Sequence, residues 1–566
     1  MFMHLIKKNR AAVYISILIL FHLFFNTLWI IINKSPLSWD PANHAYTAST
    51  IKECILQFEG IAKCYSASQF YPIFSQSILA IIFVIFGTSS FISQIYATII
   101  FTLSILIVYF WAKSEVKNTN TALITATFYS FTPSIFGYSK FFWLEFPTVL
   151  LVFLTLFLLN KSNYLTNKKI AYLVFVFLGF GVATRTYFVV YMLVPLLYSL
   201  VKLVLNKKLL PNLKNLFAGT LITASIALPW YLVNWSNFLY YSNSYILADA
   251  SEPQILFSLN NLLWYLNRLI NEILMFNISI IFLLSLLFVA FTALSKQKKA
   301  YLLTNFVIVY LVFTFIANKD VRYLFALVPY TSLIIAVSFN LIVNKIPSFI
   351  ERYLFVISTF VILLFSYFVL SFNFPINDSI KKSVKVPHLG YIDTYNTTNF
   401  PIEGVNYNKW PIKNILNTVS AKSAGNKVLF AAYVEYPHLN NRNIVFGTKE
   451  YNYNNILIYD DFEFNSNGHT WTENDLNTFL LKKDYILIPT NQTSPDYYIF
   501  KKSLDAVQIY VFSNPNKFAE VQKFKIPYQE LADYLQGSNL PNVTSKAEEK
   551  CKVEICDEVI LFKVKK

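Results

Sequence analysis

The search for chemistry in this 566-residue chain begins at one aspartate, Asp40, within Ser38-Trp39-Asp40-Pro41-Ala42-Asn43-His44. It follows directly on the first long apolar run, which places it at a membrane surface. A carboxylate held there can act as general base toward an acceptor hydroxyl. It can equally cap a helix that starts at Pro41. His44, four residues on, shares a helical face with Asp40 if such a helix forms, as hydrogen-bond partner or proton carrier. Further charges bound or interrupt apolar stretches: Lys140 and Glu145, Arg185, then Lys319, Asp320 and Arg322. An ionised group near the bilayer centre costs roughly 2.5–3.5 kcal/mol even on the mildest scale, so such residues usually have a task. Acids and cations facing one cavity suit a reaction at a phosphate. Asp40 and Glu145 would manage a hydroxyl proton, while Arg185, Lys319, Arg322 and Lys140 would hold the phosphate. Each has a structural use too, since Glu145 complements a helix dipole and Lys140 can snorkel to the interface. Trp39, Tyr46 and Tyr71 are candidates to line a sugar or acceptor pocket.

The composition says what must position these residues. Hydrophobic residues make up 55% of the chain and charged residues 14%, with a mean hydropathy of +0.46. That excludes an ordinary soluble enzyme and predicts a polytopic α-helical membrane protein. The formal net charge is +16, but the excess is local: residues 1–373 hold 25 Lys+Arg against 10 acids, and residues 374–566 hold 22 against 21. A basic excess confined to the membrane half follows the positive-inside rule and argues against nucleic acid as a partner.

Apolar runs predict about eleven transmembrane helices, at 11–33, 91–112, 121–138, 146–160, 170–184, 187–205, 216–235, 273–294, 301–317, 323–343 and 354–374. The run 71–87 is shorter and is expected to be interfacial or re-entrant. With the N-terminus cytoplasmic, 17 of the 25 basic residues fall inside and 8 of the 10 acids outside. Asp40, Glu145, Arg185 and Arg322 then gather at the extracytoplasmic face. Cysteine spacing agrees, because Cys54/Cys64 and Cys551/Cys556 suit two local disulfides in an oxidising compartment.

After residue 373 the usage becomes globular. Helices are expected at 412–421 and 473–482, and strands at 427–433, 456–459, 484–488, 507–512 and 559–564. This predicts an extracytoplasmic α/β domain over 374–566 behind a membrane domain over 1–373. His388, His438 and His469 lack ligand spacing and are expected at the surface or in loops. No metal motif is present, although the acids leave a divalent cation open.

Residues 1–373 resemble the C-type glycosyltransferase fold (GT-C), on the side of the protein O-mannosyltransferases and lipid A aminoarabinose transferases. The matching features, in chain order, begin with Asp40 in the first outer loop and an apolar helix from Pro72 to Phe86-Gly87. Glu145-Phe146-Pro147 and Gly181-Val182-Ala183-Thr184-Arg185 follow. Leu228-Pro229-Trp230 and Lys319-Asp320-Val321-Arg322-Tyr323…Pro329 complete the set. The resemblance implies transfer of a sugar from a polyprenyl-phosphate carrier to an extracytoplasmic acceptor, with inversion. It implies Asp40 as base, Glu145 as a second acid, and Arg185, Lys319 or Arg322 at the carrier phosphate. Asp40-Pro41 stands where the mannosyltransferases have Asp-Glu, and Gln69 to Tyr71 where the aminoarabinose enzymes have a lysine, so sugar and acceptor do not carry over. The expectation is an integral-membrane glycosyltransferase, in the plasma membrane if the source is prokaryotic, acting on a protein, lipid or glycan. The rival reading is a transporter or lipid flippase with an outer domain. It is disfavoured by 12 glycines and the absence of a visible repeat. A catalytically dead sensor on the same fold is the third.

Overall fold

The computed structural model describes residues 10–374 except 243–256, 293 and 317, and then 383–386, 390–393, 405–406, 409–436, 438–458, 471–490, 501–526 and 558–565. Each predicted apolar run is largely helical, two of them with interruptions. In order these are α1 (Arg10–Ile32), α2 (Trp39–Leu56), α3 (Phe74–Phe86), α4 (Ser90–Val116), α5 (Thr119–Ser130), α6 (Pro133–Tyr138), α7 (Glu145–Lys161) and α8 (Lys168–Val182). They continue as α9 (Phe188–Leu205), α10 (Leu209–Val233), α11 (Leu259–Arg268), α12 (Met275–Val289), α13 (Lys296–Thr314), α14 (Val328–Lys345) and α15 (Phe349–Phe372). Side chains start several of them, with Ser89, Asn118, Ser295 and Ser348 each accepting from a backbone N–H three residues on.

Among the described residues six helical segments are long and apolar enough to cross a membrane: α1, α4, α9, α10, α15, and α14 with the turn leading into it. Their outward faces are apolar, as with Ile17, Leu20 and Phe24 on α1 and Phe217, Leu221 and Leu232 on α10. Exposed apolar faces of that extent belong against lipid, so this is an integral membrane protein. The helix α3, with 13 residues, is too short to span. Gly87, at φ +85°, ends it.

The expected span 121–138 is broken. Thr132 is extended (ψ 127°) because the ring of Pro133 excludes helical geometry from the residue before it, so α5 and α6 are separate. The expected span 323–343 likewise opens with a 3-10 turn, Val321–Leu327, ahead of Pro329.

Beyond the bundle, α16 (Ile412–Lys422), α17 (Asn441–Glu450), α18 (Glu473–Leu480) and α19 (Lys501–Ser513) pack around a five-stranded mixed sheet. Its strands are β1 (Val428–Ala432), β2 (Ile456–Ile458), β3 (Tyr485–Pro489), β4 (Phe518–Lys525) and β5 (Glu558–Val564), in the order β2-β1-β3-β5-β4. The three strands β2, β1 and β3 run parallel and β5 and β4 are antiparallel additions. An α/β fold therefore follows the bundle. The expected strand 507–512 is a correction: it lies inside α19. Val507, Tyr510 and Val511 are buried while Ile509 is 68% exposed, a helical spacing that the β-branched composition hid. His438 is a second correction, being fully buried with Nδ1 2.8 Å from the Pro36 carbonyl. His388, His469, Cys551 and Cys556 lie outside the described residues.

Candidate active site

The first loop is anchored from several sides. The Trp230 indole donates to the Ser68 carbonyl at 2.9 Å, and Asn234 donates to the Tyr65 carbonyl at 3.2 Å. Cys54 and Cys64 form a disulfide across the end of α2, with Cα atoms 5.6 Å apart. The backbone N–H of Phe74 bonds to the Ala183 carbonyl at 3.0 Å, tying α3 to the turn that carries Arg185. That turn is tight because Gly181 leaves room for the Phe188 ring, which a Cβ at 181 would meet at 2.3 Å. Arg185 N–H closes the turn on the Gly181 carbonyl at 3.0 Å.

Two ionic clusters result. In the first, Arg185 Nη2 lies 2.5 Å from Glu145 Oε1, with side chains 5% and 1% exposed. The Tyr187 hydroxyl donates to the same oxygen at 3.3 Å. The guanidinium rests over the Tyr71 ring at 4.4 Å and near that of Tyr187 at 5.2 Å. Among the described residues, Glu145 Oε2 and Arg185 Nε have no hydrogen-bond partner.

In the second, Asp40 is in the first turn of α2, and its two oxygens are divided between two arginines. Arg322 Nη1 reaches Oδ2 at 2.6 Å and Arg442 Nη1 reaches Oδ1 at 2.9 Å. Arg322 is aimed by its own loop. Asp320 caps the 3-10 turn through the Arg322 backbone N–H and takes the Arg322 Nε at 2.9 and 2.8 Å. The guanidinium covers Trp143 at 4.8 Å, and Tyr191 holds the Tyr323 carbonyl at 2.9 Å. Burial by itself would raise the Asp40 pKa, but Arg322 and then Arg442 hold it well below the usual carboxylate range. As it stands the carboxylate is an anion of low basicity.

A wall of aromatic groups separates the clusters. His44 is fully buried and edge-on to Tyr71 at 5.2 Å and Phe142 at 5.9 Å. Neither ring nitrogen has a hydrogen-bond partner, so it is not hydrogen-bonded to Asp40. Burial lowers its pKa to about 3, the Asp40 charge offsetting only part of this. Burial raises the Tyr71 hydroxyl to about 12.

The remaining candidates sit elsewhere or do other work. Lys140 is 1% exposed, so it does not snorkel; Nζ meets Ser371 Oγ at 2.9 Å and the Trp29 ring at 4.9 Å, between α1 and α15. Lys319 donates to the Thr314 and Ile316 carbonyls, a cation on the C-terminal end of α13. Burial lowers its pKa to about 8. Trp39 is half-buried at the first position of α2, and Tyr46 is half-buried against the bundle, its carbonyl taking the Ser49 and Thr50 hydroxyls. Among the described residues no group of three His, Cys, Asp or Glu could hold a metal. Arg442 was not anticipated; it sits in an unexceptional polar stretch some four hundred positions from Asp40, with no signal beyond the Asn440/Asn443 capping box.

Comparison with known proteins follows the same outline. Residues 71–232 match the family model of dolichyl-phosphate-mannose-protein mannosyltransferase. The resemblance to these GT-C enzymes is thus borne out over that segment, which contains Tyr71, Glu145, Arg185 and Trp230 and stops short of Asp40, Arg322 and Arg442. Two crystal structures of ArnT from Cupriavidus metallidurans are also similar. The apo form aligns at TM-score 0.45 and 12% identity, covering 59% of this chain and 60% of that one. The form bound to undecaprenyl phosphate aligns at 0.46 and 13%, covering 63% and 65%. This chain therefore spans less than two thirds of those structures. No curated protein matches the chain.

Proposed function

We propose that this protein is a membrane glycosyltransferase that moves one sugar from a polyprenyl-phosphate carrier to an acceptor hydroxyl, with Asp40 as general base. The observation that carries the reading is the setting of Asp40: a mostly buried carboxylate at one end of an apolar bundle, bracketed by guanidinium groups. The family match over residues 71–232 supports it. In the reaction the acceptor oxygen attacks the anomeric carbon from the face opposite the carrier, inverting it. The bond from that carbon to the phosphate oxygen breaks, and its electron pair leaves with the phosphate. The hydroxyl proton passes to Asp40. Charge gathers on the leaving phosphate as this happens, and arginines preset beside it stabilise that charge more in the transition state than before it. Glu145 and Arg185 form the other wall, with one unpartnered polar atom each for a sugar hydroxyl or the phosphate.

One condition follows. A carboxylate held by two guanidinium groups is a weak base, so at least one must let go of Asp40 before it takes a proton. The site is placed on the extracytoplasmic side on two supports: the basic bias of the opposite loops, and the Cys54–Cys64 disulfide beside Asp40's helix. The test is transfer of sugar from a polyprenyl-phosphate donor by wild type and Asp40→Asn in proteoliposomes. Transfer by the wild type with loss in the variant supports the reading. Equal transfer removes Asp40 from it, and solute or lipid flux without transfer favours a transporter.

A further inference from the structure

Arg442 comes from the α/β fold, yet it is fitted to the bundle with some care. It is the second residue of α17, and that helix is fastened to the bundle along its length. The Asn440 side chain accepts from the backbone N–H of Arg442 and Asn443, so the start of the helix is fixed. The Asn443 side-chain amide donates to the Leu37 carbonyl, and His438 lies on the Pro36 carbonyl. At the far end Lys449 spans both Glu53 oxygens at 2.8 Å. Glu450 accepts from the Ser90 N–H and hydroxyl at 2.6 Å. Phe446 packs into the bundle's core at 3% exposure. Docked this way, the helix delivers a guanidinium that is 48% exposed to the Asp40 oxygen that Arg322 does not use.

Two cations of like sign share one carboxylate here. Asp40 lies between them, and Asp320 neutralises Arg322 from its other side. A phosphate presents two oxygens at much the same separation as a carboxylate, and arginine forks match both. The donor of the proposed reaction is a phosphodiester with one negative charge; its product is a monoester that can carry two. An anion of growing charge entering between Arg322 and Arg442 competes with Asp40 for them.

Resting on the glycosyltransferase reading, we propose that Arg442 is a substrate-contacting residue, gripping the donor's phosphate together with Arg322, and that Asp40 engages both guanidinium groups while the site is empty. Arrival of the phosphate then does two things at once: it fills the clamp, and it releases Asp40 to act as base. The α/β fold completes the donor site and is not simply a cover.

The test measures binding to the full-length protein in nanodiscs, with a polyprenyl monophosphate, the matching polyprenol and inorganic phosphate as probes. Arg442→Gln weakens the polyprenyl monophosphate by about tenfold or more and leaves polyprenol unchanged, as expected for loss of a charged hydrogen bond. Arg442→Lys recovers part of the loss. Asp40→Asn tightens the phosphate probe about threefold to tenfold by removing the competing anion, a gain that Arg442→Gln cancels. Lys449→Gln loosens the same docked helix without touching the clamp and leaves the affinity within about twofold. Polyprenyl monophosphate binding well above inorganic phosphate assigns the clamp to a lipid carrier; equal affinities with the same Arg442 dependence assign it to free phosphate. Wild-type affinity in a folded Arg442→Gln protein overturns the proposal while leaving the transferase reading intact, and so does a Lys449→Gln loss equal to that of Arg442→Gln. A wild type that neither binds the phosphate probe nor transfers sugar sinks both.

Discussion

The two ionic clusters at the head of the bundle are built from the same residue types and stand in opposite states. Glu145 and Arg185 are nearly sealed and incompletely used, with Oε2 and Nε left without partners. Asp40 is more accessible and fully used, each oxygen taken by a different arginine. A sealed pair cannot easily be taken apart, whatever valence it has to spare. A partly accessible carboxylate with none spare has to be released to act. The contrast teaches that one pair is built for rigidity and the other could exchange partners. The rigid pair is made within the bundle, and the other is shared with the α/β fold.

That contrast can be broken most sharply at the sealed pair. Removing one partner, by Glu145→Ala or Arg185→Ala, strands a charge among apolar neighbours and should destabilise the protein by about 3–5 kcal/mol. An apolar double replacement should cost far less, and a double-mutant cycle on thermal unfolding in detergent reads the difference. A single variant with near-wild-type stability would show the pair is not sealed.

The exchanging pair should respond the other way. Asp40→Asn should lower transfer by about 10²–10⁴-fold, the usual worth of a general base, with a stability loss smaller than at the sealed pair because solvent reaches Asp40 and both its arginines. Stability and rate measured on the same preparation separate the clusters. The staple beneath that pair is weaker still: Cys54→Ser with Cys64→Ser should cost roughly 2–3 kcal/mol, for a short closed loop, seen as a lower unfolding midpoint that reductant reproduces in wild type.

The smallest effect concerns acid. His44 is neutral in the folded protein with a pKa of about 3, against an ordinary value of 6.5. Below 6.5 the unfolded chain binds a proton that the folded one refuses, so stability falls as pH drops from 6.5 toward 3. His44→Gln should flatten that slope in unfolding midpoints between pH 7 and 4. Asp40 acts with the same sign over a lower range: its depressed pKa contributes stability above about pH 4 that is lost on further acidification, so it gives no slope between pH 5 and 8.

How far the sequence reached differs between these pairs for a physical reason. Apolar runs announced the helices because burial and lipid exposure both demand apolar residues over a fixed length. Asp40, Glu145, Arg185 and Arg322 stood out because charge is conspicuous against such a background. In the α/β fold that contrast is gone, and Arg442 looks like any surface arginine until the docked helix brings it 2.9 Å from Asp40. Lys140 shows the converse failure. It looked like its fellow cations, yet it faces α15, because a tight turn sends neighbouring residues to different sides. The strand expected at 507–512 failed because three buried positions at helical spacing were filled with β-favouring side chains.

The turn holding Arg185 depends on what Gly181 lacks. A single extra carbon there would collide with the Phe188 ring, forcing helix and turn apart at the very point that steers the arginine. A neutral, silent-looking exchange in the middle of the protein would thus be felt as a misdirected charge at its mouth. The most delicate component of this turn is a gap the width of a methyl group.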